Sequence, residues 1–125
     1  GSAVACVLAQ RLARRVCARC VQMERPEAEM LKAAGFSDDI VEERPEVPRA
    51  VGCSSCSQTG YRGRLAIHEV MTVTEEIERL AVARASSEDI MRTAVEQGMQ
   101  RLRDDGLAKV LLGRTTIEEI GRVVI

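Results

Sequence analysis

The amino-acid sequence predicts an α+β fold that is mainly α-helical and contains a short β element. Apolar residues recur at helical spacing near the start of the chain and again from residue 74 onward. Residues 64–73 instead alternate with a period of two, as a half-buried strand does. With 125 residues, 46% of them hydrophobic, the chain has room for one modest core or for two small domains.

Residues 3–16 (AVACVLAQRLARRV) are predicted to form an amphipathic helix. One side of this helix is apolar at a spacing of four residues: Val4, Leu8, Leu12 and Val16. Cys6 lies near the edge of that side, and we expect it to be a small buried residue. Residues 1–2 (Gly-Ser) have the composition of a vector scar, so we expect the chain to be a piece of a longer protein.

The middle of the chain is predicted to contain a short helix followed by an extended segment. Pro26 precedes and Gly35 follows residues 27–34, as is typical of the two ends of a helix. Residues 37–52 are acidic and contain two prolines, so we expect an extended loop or an edge segment there.

The remainder of the chain is predicted to be a strand and then helices. The strand at residues 64–73 has one mainly apolar face, formed by Leu65, Ile67, Met71 and Val73. Four helices are expected after it: residues 75–84 after Thr74, a helix from Ser86 or Ser87 to Glu96, residues 99–112, and residues 117–124 after Thr115-Thr116. Gly106 lies inside the third of these helices, where it indicates either close helix packing or a break.

Four of the five cysteines form two C-x2-C pairs, Cys17 with Cys20 and Cys53 with Cys56, separated by 32 residues. Two such pairs supply four thiolates, the tetrahedral set that a structural Zn²⁺ prefers. Because four thiolates leave no open coordination position, we expect the ion to be structural and not catalytic. Nickel, iron or cadmium could occupy the same thiolates in a preparation.

Two disulfides, four unrelated buried cysteines, or a thioredoxin-like redox pair are the other interpretations of these cysteines. Disulfides require an oxidising compartment, and no export signal is recognisable in the sequence. The longest run without charge or Gln, residues 1–9, is also too short for a membrane helix. A redox pair would use one C-x2-C motif, whereas this chain has two.

Charge and missing motifs argue against several classes of function. A formal net charge of −1 and only two aromatic residues, Phe36 and Tyr61, give neither a basic surface nor stacking platforms for nucleic acid. The sequence contains no G-x-x-x-x-G-K-[ST], G-x-S-x-G or H-E-x-x-H motif. His68 is the single histidine, and we expect it to be a polar residue of the surface or core and not a ligand.

Two rival functions remain compatible with parts of the sequence. A stand-alone zinc-ribbon and helix-turn-helix module would bind nucleic acid, and the abundant arginine fits it, although acidic residues are interleaved throughout. A stand-alone zinc enzyme would need an open coordination position and a general base. The sequence favours a third interpretation, a structural and interaction module of a larger protein.

Two features are left with two interpretations each. Glu69 interrupts the apolar strand face, so it is either exposed near the strand end or buried in an ion pair with an arginine. A basic stripe is formed by Arg11, Arg14, Arg15 and Arg19. It is either a solvated helix face or a surface that pairs with acidic groups on the core that is missing from this chain or on a neighbouring subunit.

Three runs of the sequence resemble the C-terminal part of a known family. In order along the chain they are VLAQRLARRVCARC, CSSCSQTGYRGRLAIHE and EQGMQRLRDDGLAKVLLGRTTIEEIGRV. They are similar to the GspE/PulE/PilB-like ATPases, the motors of type II secretion and type IV pilus assembly. Ala18 and Ala66 stand where that family frequently has Pro and usually has Gly, which leaves the subfamily open.

The resemblance implies a division of the chain into three parts. Residues 3–16 would end a RecA-like ATPase core, residues 17–73 would form a tetracysteine zinc-binding subdomain, and residues 74–125 would form a C-terminal helical subdomain. The four cysteines that would hold structural Zn²⁺ are Cys17, Cys20, Cys53 and Cys56. ATP and Mg²⁺ would bind only in the upstream part of the parent, so this chain alone is not expected to hydrolyse ATP.

The resemblance also implies partners and a location. The parent would be a cytoplasmic homohexamer, peripheral to the bacterial inner membrane, that powers assembly of a pilus or pseudopilus. Expected partners are the parent's own RecA-like and N-terminal domains, neighbouring subunits and an inner-membrane platform protein. Nucleic acid is not expected as a partner.

Overall fold

The computed structural model describes residues 6–124, over which the chain forms four β-strands and six α-helices. In chain order these are β1 (Cys6–Val16), β2 (Gln22–Glu24), α1 (Ala28–Ala34), α2 (Asp38–Glu43), β3 (Val47–Arg49), β4 (Tyr61–Thr72), α3 (Glu75–Val82), α4 (Ser87–Glu96), α5 (Leu102–Leu111) and α6 (Ile117–Val123). The α+β class predicted from the sequence is confirmed.

The largest difference from the sequence prediction is β1, which pairs antiparallel with β4. A helix was predicted for residues 3–16; residues 3–5 lie outside the described residues, and for residues 6–16 the prediction is wrong. A spacing of four is also a multiple of the strand period of two, so Leu8 and Leu12 share a face in either conformation. The choice between the two conformations is made by β4, which lies far away along the chain.

The two faces of the β1–β4 ribbon have different environments. Ala13 and Ile67 lie on one face and are fully buried. Leu8 and Leu12 lie on the other face, where they are 59% and 52% exposed. The alternation places Cys6 on this second face, and it is exposed, so the prediction that it is buried is wrong.

The core lies between the inner face of the ribbon, the middle of the chain and the last two helices. Its buried residues are Ala13, Leu31, Phe36, Val47, Ile67, Leu107, Val110 and Ile120. α5 runs without a break past Gly106, at which an added Cβ would lie 2.9 Å from two side-chain atoms of Ile120. Of the two interpretations of Gly106, close helix packing is therefore correct.

The acidic segment at residues 37–52 is only partly extended. β3 occupies its second half and pairs with β2, which agrees with the predicted edge segment. Its first half forms α2, which the prediction missed. Ile40 and Val41 of this helix pack against the core, and Asp38 and Asp39 lie in its first turn, where negative charge is favourable.

α3, α4 and α6 begin at the predicted caps, whereas α5 begins at Leu102 and not at residue 99 as predicted. Thr74 accepts a hydrogen bond from the Ile77 backbone N–H, and Ser86 accepts one from the N–H of Asp89. α3 and α4 bury Ile77 and Ala94. Within residues 6–124, no helix combines the length and apolar character needed to cross a bilayer.

Candidate metal centre

The first C-x2-C pair lies in a turn directly after β1. The carbonyl of Cys17 accepts hydrogen bonds from the backbone N–H groups of Cys20, at 3.3 Å, and Val21, at 3.0 Å. These bonds fold the chain back, so the Cys17 and Cys20 side chains lie on the same side of the turn.

The second pair is built in the same way, around a 3-10 turn at Ser54–Cys56. The carbonyl of Cys53 accepts hydrogen bonds from the N–H groups of Cys56, at 3.2 Å, and Gln58, at 2.8 Å. Both cysteine pairs are therefore tight turns whose geometry follows from the two-residue spacing.

Two strand pairings bring these turns together. The short β2–β3 ladder begins with Gln22 opposite Arg49, just outside both turns. On the other side, the β1–β4 ribbon ends with Val16 opposite Tyr61. The N–H of Cys17 also donates to the carbonyl of Gly60 at 2.9 Å. The backbone thus aligns the two turns through contacts that do not involve the sulfur atoms.

The four sulfur atoms of Cys17, Cys20, Cys53 and Cys56 all lie within 4.8 Å of one another. The separations are 3.8 Å from Cys17 Sγ to Cys53 Sγ, 3.9 Å from Cys20 Sγ to Cys56 Sγ, and 3.8 Å from Cys53 Sγ to Cys56 Sγ. A tetrahedron with metal–sulfur bonds of about 2.3 Å has edges of about 3.8 Å. The four cysteines are free and not joined as disulfides, and they are placed to hold a metal ion.

Three backbone N–H groups point at these sulfur atoms. Gly52 donates to Cys20 Sγ at 3.3 Å, while Cys53 and Gly60 donate to Cys56 Sγ at 3.3 and 3.2 Å. Burial acts to raise the pKa of the Cys56 thiol, but the hydrogen bonds from Cys53 and Gly60 outweigh it and lower the pKa to about 6. N–H donors of this kind stabilise a thiolate, which is the form that binds metal.

The pKa values of the Cys17 and Cys20 thiols are shifted in opposite directions. A backbone hydrogen bond from Arg19 lowers the pKa of Cys17, against the effect of burial. Burial raises the pKa of Cys20 to about 11. Without a cation, repulsion between neighbouring thiolates keeps some of them protonated, and a divalent ion removes this penalty.

Two glycines let the second turn close around the sulfur atoms. Gly52 and Gly60 have positive φ angles of 114° and 85°, which side-chain-bearing residues rarely adopt. A Cβ at Gly60 would also lie 2.7 Å from Ala50 Cβ, and one at Gly52 would lie 2.8 Å from the Gln58 carbonyl oxygen. The turn therefore requires glycine for both conformation and space.

The arrangement fits a closed tetrahedral site. Cys17 and Cys56 are buried, and Cys20 and Cys53 are half-buried. His68 is exposed and is not part of the cluster. Four sulfur ligands would fill the coordination sphere, so the site can join two distant parts of the chain but offers no position for a substrate.

A buried ion pair lies outside the metal centre, and it was not predicted from the sequence. The side chain of Glu119 in α6 is fully buried, and it accepts hydrogen bonds from the guanidinium groups of Arg14 and Arg122 at 2.8 to 3.1 Å. Burial acts to raise the pKa of Glu119, but the hydrogen bonds from Arg122 and Arg14 lower it to about 2. The Thr115-Thr116 signal predicted the cap, since Thr116 accepts the Glu119 N–H, but no local signal indicated Arg14 as the partner.

The structure shows the surroundings of Glu69 and of the basic stripe, each of which had two interpretations. Glu69 is half-buried opposite Ala9, and none of the described basic groups lies within 4.0 Å of its carboxylate. Arg11, Arg15 and Arg19 are exposed, as a solvated surface would be, but on a strand and a turn instead of a helix. Arg14 pairs with Glu119 of its own chain and lies over the Tyr61 ring, 4.2 Å from its centroid.

Comparison with known proteins places the chain in a protein family. A family model described as "Type II/IV secretion system protein" matches residues 1–122. The chain is 43% identical over 114 residues to the type IV pilus assembly ATPase PilB of Thermus thermophilus, which covers 91% of this chain and 13% of that protein. It is 38% identical over 118 residues to PilB of Acinetobacter baylyi, with 94% and 20% covered.

A relative from the other named system is about as similar. The chain is 40% identical over 117 residues to the type II secretion system protein HxcR of Pseudomonas aeruginosa, covering 94% of this chain and 21% of that protein. The chain thus spans about a fifth or less of the length of these three relatives.

Proposed function

Because the chain belongs to the family of type II/IV secretion system proteins, we propose that it is the C-terminal, zinc-binding part of a secretion or pilus-assembly motor ATPase. The observation that carries the proposal is the family match over residues 1–122. The relatives named above as ATPases are much longer than this chain, and the chain itself contains no G-x-x-x-x-G-K-[ST] motif. ATP and Mg²⁺ accordingly bind in the upstream part of the parent, and this part does not hydrolyse ATP.

The role of this part is structural. Cys17, Cys20, Cys53 and Cys56 are the residues that would hold Zn²⁺, and their sulfur separations support tetrahedral coordination. Bound zinc would supply cross-linking and no reaction. The protein residues orient the sulfur atoms, and the N–H groups of Gly52, Cys53 and Gly60 stabilise their negative charge.

The proposed division of the chain is unchanged at residues 17–73 and 74–125. The first part is the zinc-binding subdomain and the second is the C-terminal helical subdomain. Residues 3–16 end the RecA-like core, and their described part, β1 (Cys6–Val16), is a strand and not a helix. We further propose that the parent is a homohexamer on the cytoplasmic side of the inner membrane. Its neighbours there are its own upstream domains, adjacent subunits and a membrane platform protein.

A nucleic-acid-binding module is not favoured as an alternative. The relatives named above are secretion or pilus-assembly proteins, and the formal net charge of this chain is −1. Binding to duplex DNA that weakens with salt would be the observation that supports the alternative.

The proposal is tested with the full-length product of the natural gene and with this chain alone. We expect ATP hydrolysis from the full-length product only, and about one zinc ion per chain in both. Cys53→Ser in the full-length protein is expected to release the zinc and impair secretion or pilus assembly, whereas Cys6→Ser, at an exposed cysteine outside the cluster, is the matched control. A gene without an upstream nucleotide-binding region, or hydrolysis by the isolated chain, would contradict the proposal.

A further inference from the structure

An arginine-lined cleft lies where β1 ends, β4 begins and α5 turns into α6. Its volume is about 550 Å³, and four arginines line it: Arg15, Arg62, Arg64 and Arg114. The remaining lining residues are glycine, alanine or valine, and no carboxylate is among them. The cleft is therefore a concentrated positive surface.

The backbone explains why these arginines converge. A β-bulge interrupts the register of the ribbon between Arg14 and Val16: Arg15 of β1 faces two residues of β4, Arg62 and Gly63, so the extra residue belongs to β4. Opposite Arg15, Gly63 has a positive φ of 81°, and the Arg15 Cδ lies 3.7 Å from the position of an added Cβ there. Val16 donates its N–H to the carbonyl of Arg114 at 3.0 Å, which draws the α5–α6 turn to the same place.

The four guanidinium groups have no ionic partner within the described residues. The ion pairs found there use other basic residues, namely Arg14, Arg44, Arg49, Arg92, Lys109 and Arg122. Four neighbouring positive charges repel one another, and an anionic partner would relieve that repulsion. Guanidinium groups suit carboxylates in particular because they bind them with two parallel hydrogen bonds.

The chain carries a surface of the opposite charge at α2. Asp38, Asp39, Glu42 and Glu43 are all exposed, and none is in an ion pair within the described residues. Asp38 and Glu42 lie one helical turn apart, as do Asp39 and Glu43, so the carboxylates line α2 in two short rows. The formal net charge of −1 means that copies of the chain do not repel one another strongly, and the cleft and α2 carry opposite charges that can attract across two copies.

We propose that the arginine-lined cleft of one copy of this chain binds the acidic helix α2 of a second copy. The contact joins two different surfaces, so it is of the head-to-tail type that can build a ring or a filament. The inference rests on the proposed function, because an assembly of like subunits places a second copy beside each chain. It deepens that function by naming the two surfaces through which neighbouring copies meet.

The test is charge reversal of each surface in this whole chain, with self-association measured by sedimentation at low and high ionic strength. Arg15→Glu/Arg62→Glu/Arg64→Glu/Arg114→Glu reverses the cleft, and Asp38→Lys/Asp39→Lys/Glu42→Lys/Glu43→Lys reverses α2. We expect the unmodified chain to self-associate more weakly as salt rises, and each reversed variant to self-associate at least about tenfold more weakly at low salt.

Mixing the two reversed variants is the decisive measurement. Each variant repels its own copies, but in the mixture both combinations of cleft and helix are again of opposite charge. We expect the mixture to recover association to within about threefold of the unmodified chain. Arg11→Glu/Arg79→Glu/Arg84→Glu/Arg103→Glu, at four exposed arginines outside the cleft, is the matched control and is expected to change little.

Three results would overturn the inference: a monomeric unmodified chain, reversed variants that associate normally, or a mixture that does not recover. Zinc content and the circular dichroism spectrum of each variant verify that it is folded. The outcome is separable from that of the proposed function, which is judged by zinc content and by ATP hydrolysis of the full-length product. A failure of self-association would change neither measurement.

Discussion

Glu119 shows how a single residue joins two ends of the chain. Its two carboxylate oxygens accept hydrogen bonds from the Arg14 backbone N–H, the Arg14 side chain and the Arg122 side chain. A buried carboxylate without such partners would be strongly unfavourable, and here each oxygen is satisfied. The first strand and the last helix are therefore fixed to each other through a charge.

Glu119 is expected to make stability depend on pH. Its pKa is about 2 in the folded chain, below the ordinary value of 4.5, so its contribution is complete above about pH 4.5 and is lost as the pH falls toward 2. Glu119→Gln is expected to lower the free energy of unfolding by about 2–3 kcal/mol at neutral pH. Chemical unfolding of both proteins across this range should show the difference shrinking as pH falls.

The exposed neighbour Glu118 provides the control for this experiment. Glu118→Gln removes one carboxylate from the same helix turn without touching the buried pair. It is expected to change stability by less than about 0.5 kcal/mol. A constant difference between the unmodified chain and Glu119→Gln down to pH 2 would show that the charge of Glu119 is not the cause.

Gly60 is the second residue whose role is decided by its surroundings. Gly60→Ala is expected to weaken zinc retention and to lower stability by about 2–3 kcal/mol, because it adds strain at a positive φ and a 2.7 Å contact with Ala50. Gly113→Ala, at a similar φ of 80° but with no atom within 4 Å of the added Cβ, measures the strain alone. If Gly60→Ala and Gly113→Ala lost zinc to a chelator equally readily, the contact with Ala50 would not be the cause.

At the scale of elements, α6 is attached to the β-ribbon by more than hydrophobic contact. The Thr115 hydroxyl donates to the carbonyl of Arg14 at 2.8 Å, and the Tyr61 and Thr116 hydroxyls are 2.8 Å apart. On its other side α6 packs against α5, where Gly106 allows Ile120 to approach closely. The last helix is thus held between the ribbon and α5.

For Gly106→Ala, the α5–α6 contact and helix propensity predict opposite changes in stability. Alanine is a better helix former than glycine by about 1 kcal/mol, so propensity alone predicts that Gly106→Ala stabilises the chain. We expect the reverse, a loss of about 1–3 kcal/mol, since the new Cβ would lie 2.9 Å from Ile120. Thermal unfolding of Gly106→Ala measures the loss, and adding Ile120→Val, which shortens the contacted side chain, should recover part of it. If Gly106→Ala alone were more stable than the unmodified chain, close packing would be refuted.

The whole molecule has one described hydrophobic core, and the cysteine turns are not part of it. β1, β4, α5 and α6 share this core with Leu31, Phe36 and Val47 from the middle of the chain, whereas the two cysteine turns are aligned by short ladders and single hydrogen bonds. Metal binding in four-cysteine sites contributes roughly 10–16 kcal/mol of apparent free energy, comparable with the whole stability of a small domain. The proposed zinc ion therefore governs the middle of the chain most directly.

Removal of the metal is expected to act unevenly along the chain. Cys53→Ser, or treatment with a chelator, should increase hydrogen exchange of backbone amides in residues 17–65, while α5 and α6 keep most of their protection. Cys6→Ser, outside the cluster, should leave exchange unchanged. Uniform loss of protection would show that the metal stabilises a single cooperative unit, and unchanged exchange would show that it is not needed for folding.

The features that were predicted correctly from the sequence are local or have a spacing with one chemical meaning. Thr74 and Ser86 begin helices because their oxygens bond to N–H groups three residues ahead. The two C-x2-C pairs indicated one metal centre because each pair makes its own turn, and the four sulfur atoms do lie together. The interpretation of β1 failed because a four-residue apolar spacing satisfies a helix and a strand equally.

The α+β class, the family resemblance and the four cysteines of the candidate centre are predictable from the sequence alone, because each depends on residues close along the chain. The folded chain was needed to show that residues 6–16 are a strand, that Glu119 pairs with Arg14 and that Gly106 lies against Ile120. These contacts join segments distant in sequence. Their free energy depends on which surfaces meet in the folded chain, and no local pattern of residues specifies that.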